Sequence, residues 1–88
     1  SIVDNGEQAV SNKYINVFKE AVISIKTAQN LSVIKTIKGM AGAICGLIDK
    51  LNLDGVMGSV SGDDTVMVIL PDFRMAQNAT ETLLKLSV

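Results

Sequence analysis

The 88-residue sequence lacks several residue types on which common protein functions depend. It contains no histidine and no tryptophan, and its aromatic residues are limited to Tyr14, Phe18 and Phe73. Without histidine, the usual pairing of a nucleophile with a histidine base is excluded. Because large rings are so few, the core has to consist of aliphatic side chains. A chain this short buries only about 60% of its unfolded surface, so a partner subunit would supply useful buried area.

Cysteine, net charge and long apolar runs are also scarce. Cys45 is the only cysteine, which excludes an internal disulfide and fits a reducing cytoplasm. Eight basic and nine acidic residues leave a net charge of −1, without the basic surface that nucleic-acid binding requires. No apolar run reaches the roughly 20 residues of a membrane helix. We therefore expect a cytoplasmic domain that neither crosses a membrane nor binds nucleic acid by itself. The start at Ser1 rather than methionine is expected of a piece of a longer protein.

Hydrophobic periodicity predicts an α+β fold with the order β-β-α-β-β-α. The predicted elements are strands at 21–26 and 31–37, a helix at 39–51, strands at 56–61 and 65–70, and a helix at 73–86. Two helices on one face of a four-stranded antiparallel sheet would bury both apolar stripes in a two-layer architecture. Residues 1–12 are polar and lack sustained periodicity, which indicates a linker or N-terminal extension before a domain at 13–88.

The predicted helix at 39–51 has an unusual composition. Gly39, Gly42 and Gly46 each weaken a helix by up to about 1 kcal/mol relative to alanine. Residues 39–48 carry no charged side chain, although a helix on a sheet normally presents a polar stripe to solvent. One interpretation is a helix buried in a small core. We favour a second, in which the outer face of glycine and alanine meets another subunit.

The most concentrated polar feature is the Gly-Asp-Asp sequence between the last two predicted strands. Asp63 and Asp64 are adjacent, and glycine and aspartate are typical of hairpin turns. The pair has three interpretations: an ordinary acidic turn, a site for an organic cation, or a magnesium site. A guanidinium suits two carboxylates because its planar fork of donors can pair bidentately. Hydrated Mg²⁺ competes because it prefers carboxylate oxygens.

The start of the first predicted helix is a second candidate site. Backbone N–H groups at residues 39–43 and the positive end of the helix dipole could receive a carboxylate. The alternative is that these small residues serve only close packing. Lys35 and Lys38, just upstream, either add positive charge there or are solvated surface residues.

Three sequence blocks resemble the arginine repressors of bacteria. The block at 55–65 (GVMGSVSGDDT) is similar to a G-[ST]-[IV]-x-G-D-D-T hairpin in that family. The block at 36–41 (TIKGMA) resembles T-x-P-G-x-A at the start of a helix, and 47–49 (LID) resembles L-[LI]-D. The order and spacing of the blocks also fit, and the resemblance covers roughly residues 14–86.

The resemblance implies a C-terminal domain that forms trimers and, with arginine, hexamers of two stacked trimers. L-arginine would then be an effector rather than a cofactor, and it would lie between the trimers with its guanidinium on Asp63 and Asp64. Met40, Ala41 and Gly42 would form the part of the pocket at the start of the helix. The resemblance assigns no catalytic residue and no metal ligand. Operator DNA would be bound by a winged helix-turn-helix domain that precedes this segment.

Two positions depart from the family pattern. Lys38 replaces the usual proline before Gly39, and Gly42 stands where a glutamine or histidine side chain helps to hold the ligand. Three alternatives to an arginine-sensing domain therefore stay open. They are a purely structural oligomerisation domain, an amino-acid-binding regulatory domain of the ACT type with the order β-α-β-β-α-β, and a fragment of a metal-dependent enzyme.

Overall fold

The structure, a computed structural model, describes the backbone of residues 2–87 and the side chains of residues 12–87. Its elements are α1 (Ile2–Ala21), β1 (Val22–Ala28), β2 (Leu31–Thr36), α2 (Ala41–Leu51), β3 (Gly58–Ser61), β4 (Thr65–Ile69) and α3 (Phe73–Ser87). The strands form one sheet in the order β1-β2-β4-β3, and every neighbouring pair is antiparallel. The predicted α+β class and the order β-β-α-β-β-α are confirmed from β1 onward.

The helix α1 is an element that the sequence analysis did not predict. It runs from Ile2 to Ala21, so the predicted boundary between residues 12 and 13 lies inside it. Its C-terminal half carries an apolar stripe at the helical spacing i, i+3, i+4 and i+7, formed by Tyr14, Val17, Phe18 and Ala21. Phe18 and Ala21 are buried against the rest of the domain, which explains why this half is helical.

Side-chain alternation places one face of the sheet under the helices. On β2, Ser32, Ile34 and Thr36 are buried, while Lys35 between them is exposed. The helix α3 packs across β1 and β2, and α2 packs across β3 and β4. α1 lies against both other helices. The helices thus cover the buried side of the sheet, as the predicted two-layer architecture requires.

The core is aliphatic, as the shortage of aromatic residues predicts. Among the described side chains, Phe18 is the only ring in the buried cluster. The largest of its fully buried aliphatic side chains are Ile34, Ile44, Ile48, Leu70, Leu83, Val66 and Val68. They come from β2, α2, β4 with the residue after it, and α3, so the same cluster holds both layers together.

The opposite face of the sheet has no covering layer in the described part of the chain, yet much of it is apolar. Leu31 and Val33 of β2 lie beside Ile69 and Met67 of β4 in the register of the sheet. Val60 of β3 pairs with Met67 and is 51% exposed. We call these five residues the open sheet face. Among residues 2–87, no helix is both long enough and apolar enough to cross a membrane.

Candidate functional site

The tip of the β3–β4 hairpin presents the two adjacent aspartates. The Gly62 N–H donates to the Thr65 carbonyl at 2.9 Å, which closes the loop around residues 63 and 64. The Asp63 side chain is exposed and that of Asp64 is half-buried. Two adjacent carboxylates about 5 Å apart repel by roughly 3 kcal/mol at an effective dielectric of about 20. A cation placed between them would relieve that repulsion.

Backbone hydrogen bonds attach this tip to the start of α2. The Asp63 carbonyl accepts the N–H of Gly39 at 3.0 Å and the N–H of Ala41 at 3.3 Å. The Asp64 carbonyl accepts the Thr36 N–H at 2.8 Å, which continues the pairing of β2 with β4. The acidic pair and the N-terminus of α2 are therefore neighbours, although they are far apart in the sequence.

The start of α2 depends on this attachment because it has no side-chain cap. Met40 occupies the N-cap position and forms no capping hydrogen bond through its side chain. Gly39 has a φ of +83°, a left-handed conformation that favours glycine and turns the chain into the helix. The first four N–H groups of an α-helix have no intrahelical partner. The Asp63 carbonyl accepts the N–H of Ala41, and among the described residues the Gly42 N–H beside it has no such partner.

The outer surface of α2 next to its first residues has only small side chains or none. Gly42 and Ala43 are exposed, and a Cβ atom added at Gly42 would meet no atom within 4 Å. The same is true of Gly46, one turn further along. The outer face of α2 near the acidic tip therefore consists of small residues that leave room for another chain or for a ligand.

Lys35 is a further member of this site. Its Nζ lies 3.4 Å from Asp64 Oδ2 and donates to Thr65 Oγ1 at 3.2 Å. The Thr65 hydroxyl donates in turn to Asp64 Oδ1 at 3.0 Å. These hydrogen bonds, that of Thr65 first and that of Lys35 second, lower the pKa of Asp64 below its ordinary value. Asp64 is therefore held as a carboxylate that already has a cationic neighbour.

A second series of side-chain hydrogen bonds holds α2 against β3. The Ser59 hydroxyl donates to Asp49 Oδ1 at 2.7 Å and accepts from the Cys45 thiol at 3.3 Å. Asp49 belongs to the 47–49 block and Ser59 to the 55–65 block of the sequence. Cys45 is half-buried and packs against the core. The three sequence blocks are thus joined at two places, through Asp49 and Ser59 and through Asp63 and the start of α2.

The structure brings together all five residues proposed from the sequence: Asp63, Asp64, Met40, Ala41 and Gly42. Lys35 and Lys38, which sequence reasoning left undecided, are both exposed, and the Lys35 Nζ lies 3.4 Å from Asp64 Oδ2. The signal for Lys35 was the antiparallel register, which sets it directly opposite Thr65. Within the described residues, no group of three or more potential metal ligands occurs.

Curated relatives support the resemblance over most of the chain. An arginine repressor of Lachnoclostridium phytofermentans is 34% identical over 85 residues, which are 97% of this chain and 56% of that protein. One from Clostridium acetobutylicum is 38% identical over 91% of this chain and 53% of its own length. Another, from Alkaliphilus metalliredigens, is 37% identical over 92% of this chain and 54% of its own. The chain thus spans about half the length of the relatives it matches.

The family assignment covers the whole site. A family model described as the C-terminal domain of the arginine repressor matches residues 18–85, from the end of α1 to the end of α3. That range contains the acidic hairpin tip, the start of α2 and the Asp49–Ser59 contact. The chain belongs to the arginine repressor C-terminal domain family.

Proposed function

We propose that this domain senses L-arginine for a transcriptional regulator of arginine metabolism. Arginine binds between subunits, at Asp63 and Asp64 together with Met40, Ala41 and Gly42, and it stabilises a hexamer made of two trimers. The domain is a non-catalytic binding module of a cytoplasmic protein, and arginine acts as an effector rather than as a cofactor. Residues 13–88 are its functional unit, preceded by an N-terminal extension at 1–12.

The observation that carries the proposal is the attachment of the hairpin tip to the start of α2. The Asp63 carbonyl bonds the N–H groups of Gly39 and Ala41, so the two residues that bear the carboxylates lie next to the positive end of a helix in the backbone. Arginine has the matching pair of charges, a guanidinium for the carboxylates and a carboxylate for the helix N-terminus. A bare metal cation would use only the acidic half of this arrangement, which favours an amino acid over Mg²⁺.

Two apolar surfaces support assembly into a hexamer. A hexamer of two stacked trimers needs one contact within each trimer and a different contact between trimers. The open sheet face supplies an apolar surface of five side chains. The bare outer face of α2, with exposed Gly42, Ala43 and Gly46, supplies another that adjoins the acidic tip. We assign the contact that includes arginine to the second surface because the proposed ligand residues border it.

Assembly and sensing are linked by thermodynamics. If arginine binds the hexamer more tightly than the trimer, then arginine favours the hexamer, and formation of the hexamer raises arginine affinity by the same factor. In the whole regulator, the hexamer would hold several DNA-binding domains in the arrangement that an operator requires. The domain itself would contact no DNA.

Isothermal titration calorimetry with L-arginine tests the sensing role. The chain is expected to bind arginine, and Asp63→Asn and Asp64→Asn are each expected to weaken binding by about tenfold or more, since a hydrogen bond to a charged group contributes about 1.5–3 kcal/mol. Agmatine keeps the guanidinium but lacks the carboxylate, so it tests the half of the site at α2. It is expected to bind more weakly than arginine.

Asp54→Asn is the matched control because Asp54 is an exposed acid in the turn between α2 and β3. It makes the same change of charge away from the hairpin tip and is expected to leave arginine binding unchanged. No heat from arginine, or equal losses in the Asp54 and Asp64 variants, would refute the proposed site.

A second candidate function is a purely structural oligomerisation domain that has lost arginine sensing. Gly42 favours it, because no side chain there reaches toward a ligand. A hexamer that forms without arginine and is unchanged in Asp63→Asn would support this candidate. The ACT alternative has less support, since its order β-α-β-β-α-β differs from the β1-β2-α2-β3-β4-α3 order of this domain.

A further inference from the structure

The acidic pair already has a cation of its own in the isolated subunit. Lys35 Nζ lies 3.4 Å from Asp64 Oδ2, and the two side chains are 48% and 41% exposed. Thr65 completes a closed set of contacts, accepting from the ammonium at 3.2 Å and donating to the other Asp64 oxygen at 3.0 Å. Asp63 makes no comparable side-chain contact among the described residues.

The backbone fixes this pairing. Lys35 and Thr65 are direct cross-strand partners of β2 and β4, so their side chains leave the same face of the sheet. The Thr36 N–H, bonded to the Asp64 carbonyl at 2.8 Å, sets the position of the hairpin tip beside Lys35. The ammonium is therefore held at a high effective concentration near Asp64, and it returns there whenever no other cation is present.

We propose that Lys35 is an internal competitor for the acidic pair and that it sets the affinity of this site for a cationic ligand. The inference rests on the proposed function of Asp63 and Asp64 as a guanidinium site. A guanidinium that pairs with both aspartates has to displace the Lys35 ammonium from Asp64, because two cations on one carboxylate repel each other. Free ligand succeeds because its planar fork can bond two carboxylates, whereas one ammonium cannot match that geometry.

Competition of this kind would raise the ligand concentration at which the sensor responds. In the absence of ligand, the ammonium relieves the repulsion between the two carboxylates, so the empty site stays stable. Ligand has to reach a higher concentration before it occupies the site than it would with two unpaired aspartates. Lys35 thereby shifts the response to a higher ligand concentration without touching the bound ligand.

The test is calorimetry with L-arginine on the 88-residue chain at low ionic strength, comparing wild type with Lys35→Met. Methionine has a similar length and no charge, and the exposed position of Lys35 permits the change. Lys35→Met is expected to bind arginine about two- to fivefold more tightly, the range that an exposed ion pair allows. The gain is expected to shrink as salt screens the pair.

Two further variants serve as matched controls. Lys35→Arg keeps a cation beside Asp64 and is expected to show no gain in affinity. Lys26→Met removes a charge from β1 on the same face of the sheet, opposite Val33, and is likewise expected to leave affinity unchanged. Equal gains from Lys26→Met and Lys35→Met would overturn the proposal, because net charge alone would then explain them.

The outcomes separate this inference from the function on which it rests. If wild type binds arginine and Lys35→Met binds it equally or more weakly, Lys35 is not a competitor and the proposed function stands. If neither wild type nor any variant binds arginine, the proposed function fails and the competition with it. An NMR titration of the Asp64 carboxyl gives a ligand-free readout: its pKa should rise in Lys35→Met and stay in place in Lys26→Met.

Discussion

The helices α2 and α3 pack over different strands of the same sheet, α2 over β3 and β4 and α3 over β1 and β2, and they begin in different ways. α3 has its own cap: the Asp72 carboxylate accepts the Met75 N–H at 2.9 Å, and the Asp72 carbonyl accepts the Ala76 N–H at 3.0 Å. α2 has no side-chain cap at Met40 and relies on the carbonyl of Asp63, from a hairpin later in the chain. One start is specified by neighbouring residues and the other by tertiary structure.

The difference separates the structural half of the domain from its proposed functional half. α3 is anchored by an internal cluster of hydroxyls, in which Thr80 bonds Thr27 at 2.7 Å and Ser32 at 2.8 Å. α2 has a glycine-rich outer face and a start that is attached directly to the acidic tip. Changes around α3 should therefore alter stability alone, whereas changes at the start of α2 should alter stability and arginine binding together.

The largest effect is expected at the hydroxyl cluster beneath α3. Thr80→Val leaves the fully buried Ser32 hydroxyl without its partner and should lower the free energy of unfolding by about 1–3 kcal/mol. Urea denaturation measures the loss. Thr82→Val is the control, an exposed position on the same helix, where a change within about 0.5 kcal/mol is expected. Arginine affinity should be the same in both variants. A loss of affinity in Thr80→Val alone would show that the hydroxyl cluster under α3 also affects the arginine site.

The next effect is expected at the start of α2. Gly39→Ala places a side chain at a φ of +83° and should lower the free energy of unfolding by about 1–2 kcal/mol. It should also weaken arginine binding, because the Gly39 N–H helps to hold Asp63 in position. Gly46→Ala, in the middle of the same helix with open space around it, should stabilise the chain by about 0.5–1 kcal/mol. Equal destabilisation by both changes would contradict this view of the helix start.

A smaller effect is expected at the start of α3. Asp72→Ala removes the capping carboxylate and should lower the free energy of unfolding by about 1 kcal/mol. Asp72→Asn retains an acceptor oxygen and should recover most of that loss, as thermal denaturation of the two variants can show. Neither change should affect the heat of arginine binding. A change in that heat would indicate that the two helix starts are coupled.

The smallest effect concerns pH. The pKa of Asp64 is lowered in the folded chain by its hydrogen bonds to Thr65 and Lys35. A lowered carboxyl pKa stabilises the fold above the ordinary aspartate pKa, and the contribution disappears as the pH falls through the lowered value. Unfolding measured from neutral to acidic pH should therefore show a small difference between wild type and Lys35→Met that vanishes in acid. If the difference in the free energy of unfolding grew in acid instead, Lys35 would not be stabilising the ionised form of Asp64.

The four strands and the helices α2 and α3 were predicted from the sequence. Alternation located the strands, and the predicted helices at 39–51 and 73–86 agree with α2 and α3 to within two residues at each end. α1 was missed because residues 1–12 are polar and include Gly6, while the apolar stripe that ends in Phe18 and Ala21 spans only about two helical turns. Those apolar side chains stabilise a helix only when the rest of the core is present to cover them.

The residues of the candidate site could be proposed from the sequence, but the hydrogen bonds that connect them could not. The acidic pair and residues 40–42 followed from motif spacing and family resemblance. The bonds from the Asp63 carbonyl could not be predicted, since a backbone carbonyl leaves no signature in the residue types. The position of Lys35 beside Asp64 depends on strand register, which alternation alone does not fix to a single residue.

Arginine and assembly are proposed to share the surface where the hairpin tip meets α2. Native mass spectrometry of the chain with and without L-arginine is the decisive measurement, because one spectrum reports both the number of subunits and the number of bound ligands. Arginine is expected to shift trimers to hexamers and to be retained at up to one molecule per subunit, and Asp63→Asn with Asp64→Asn is expected to abolish both changes. A subunit number independent of arginine, with no ligand retained, would contradict the proposal.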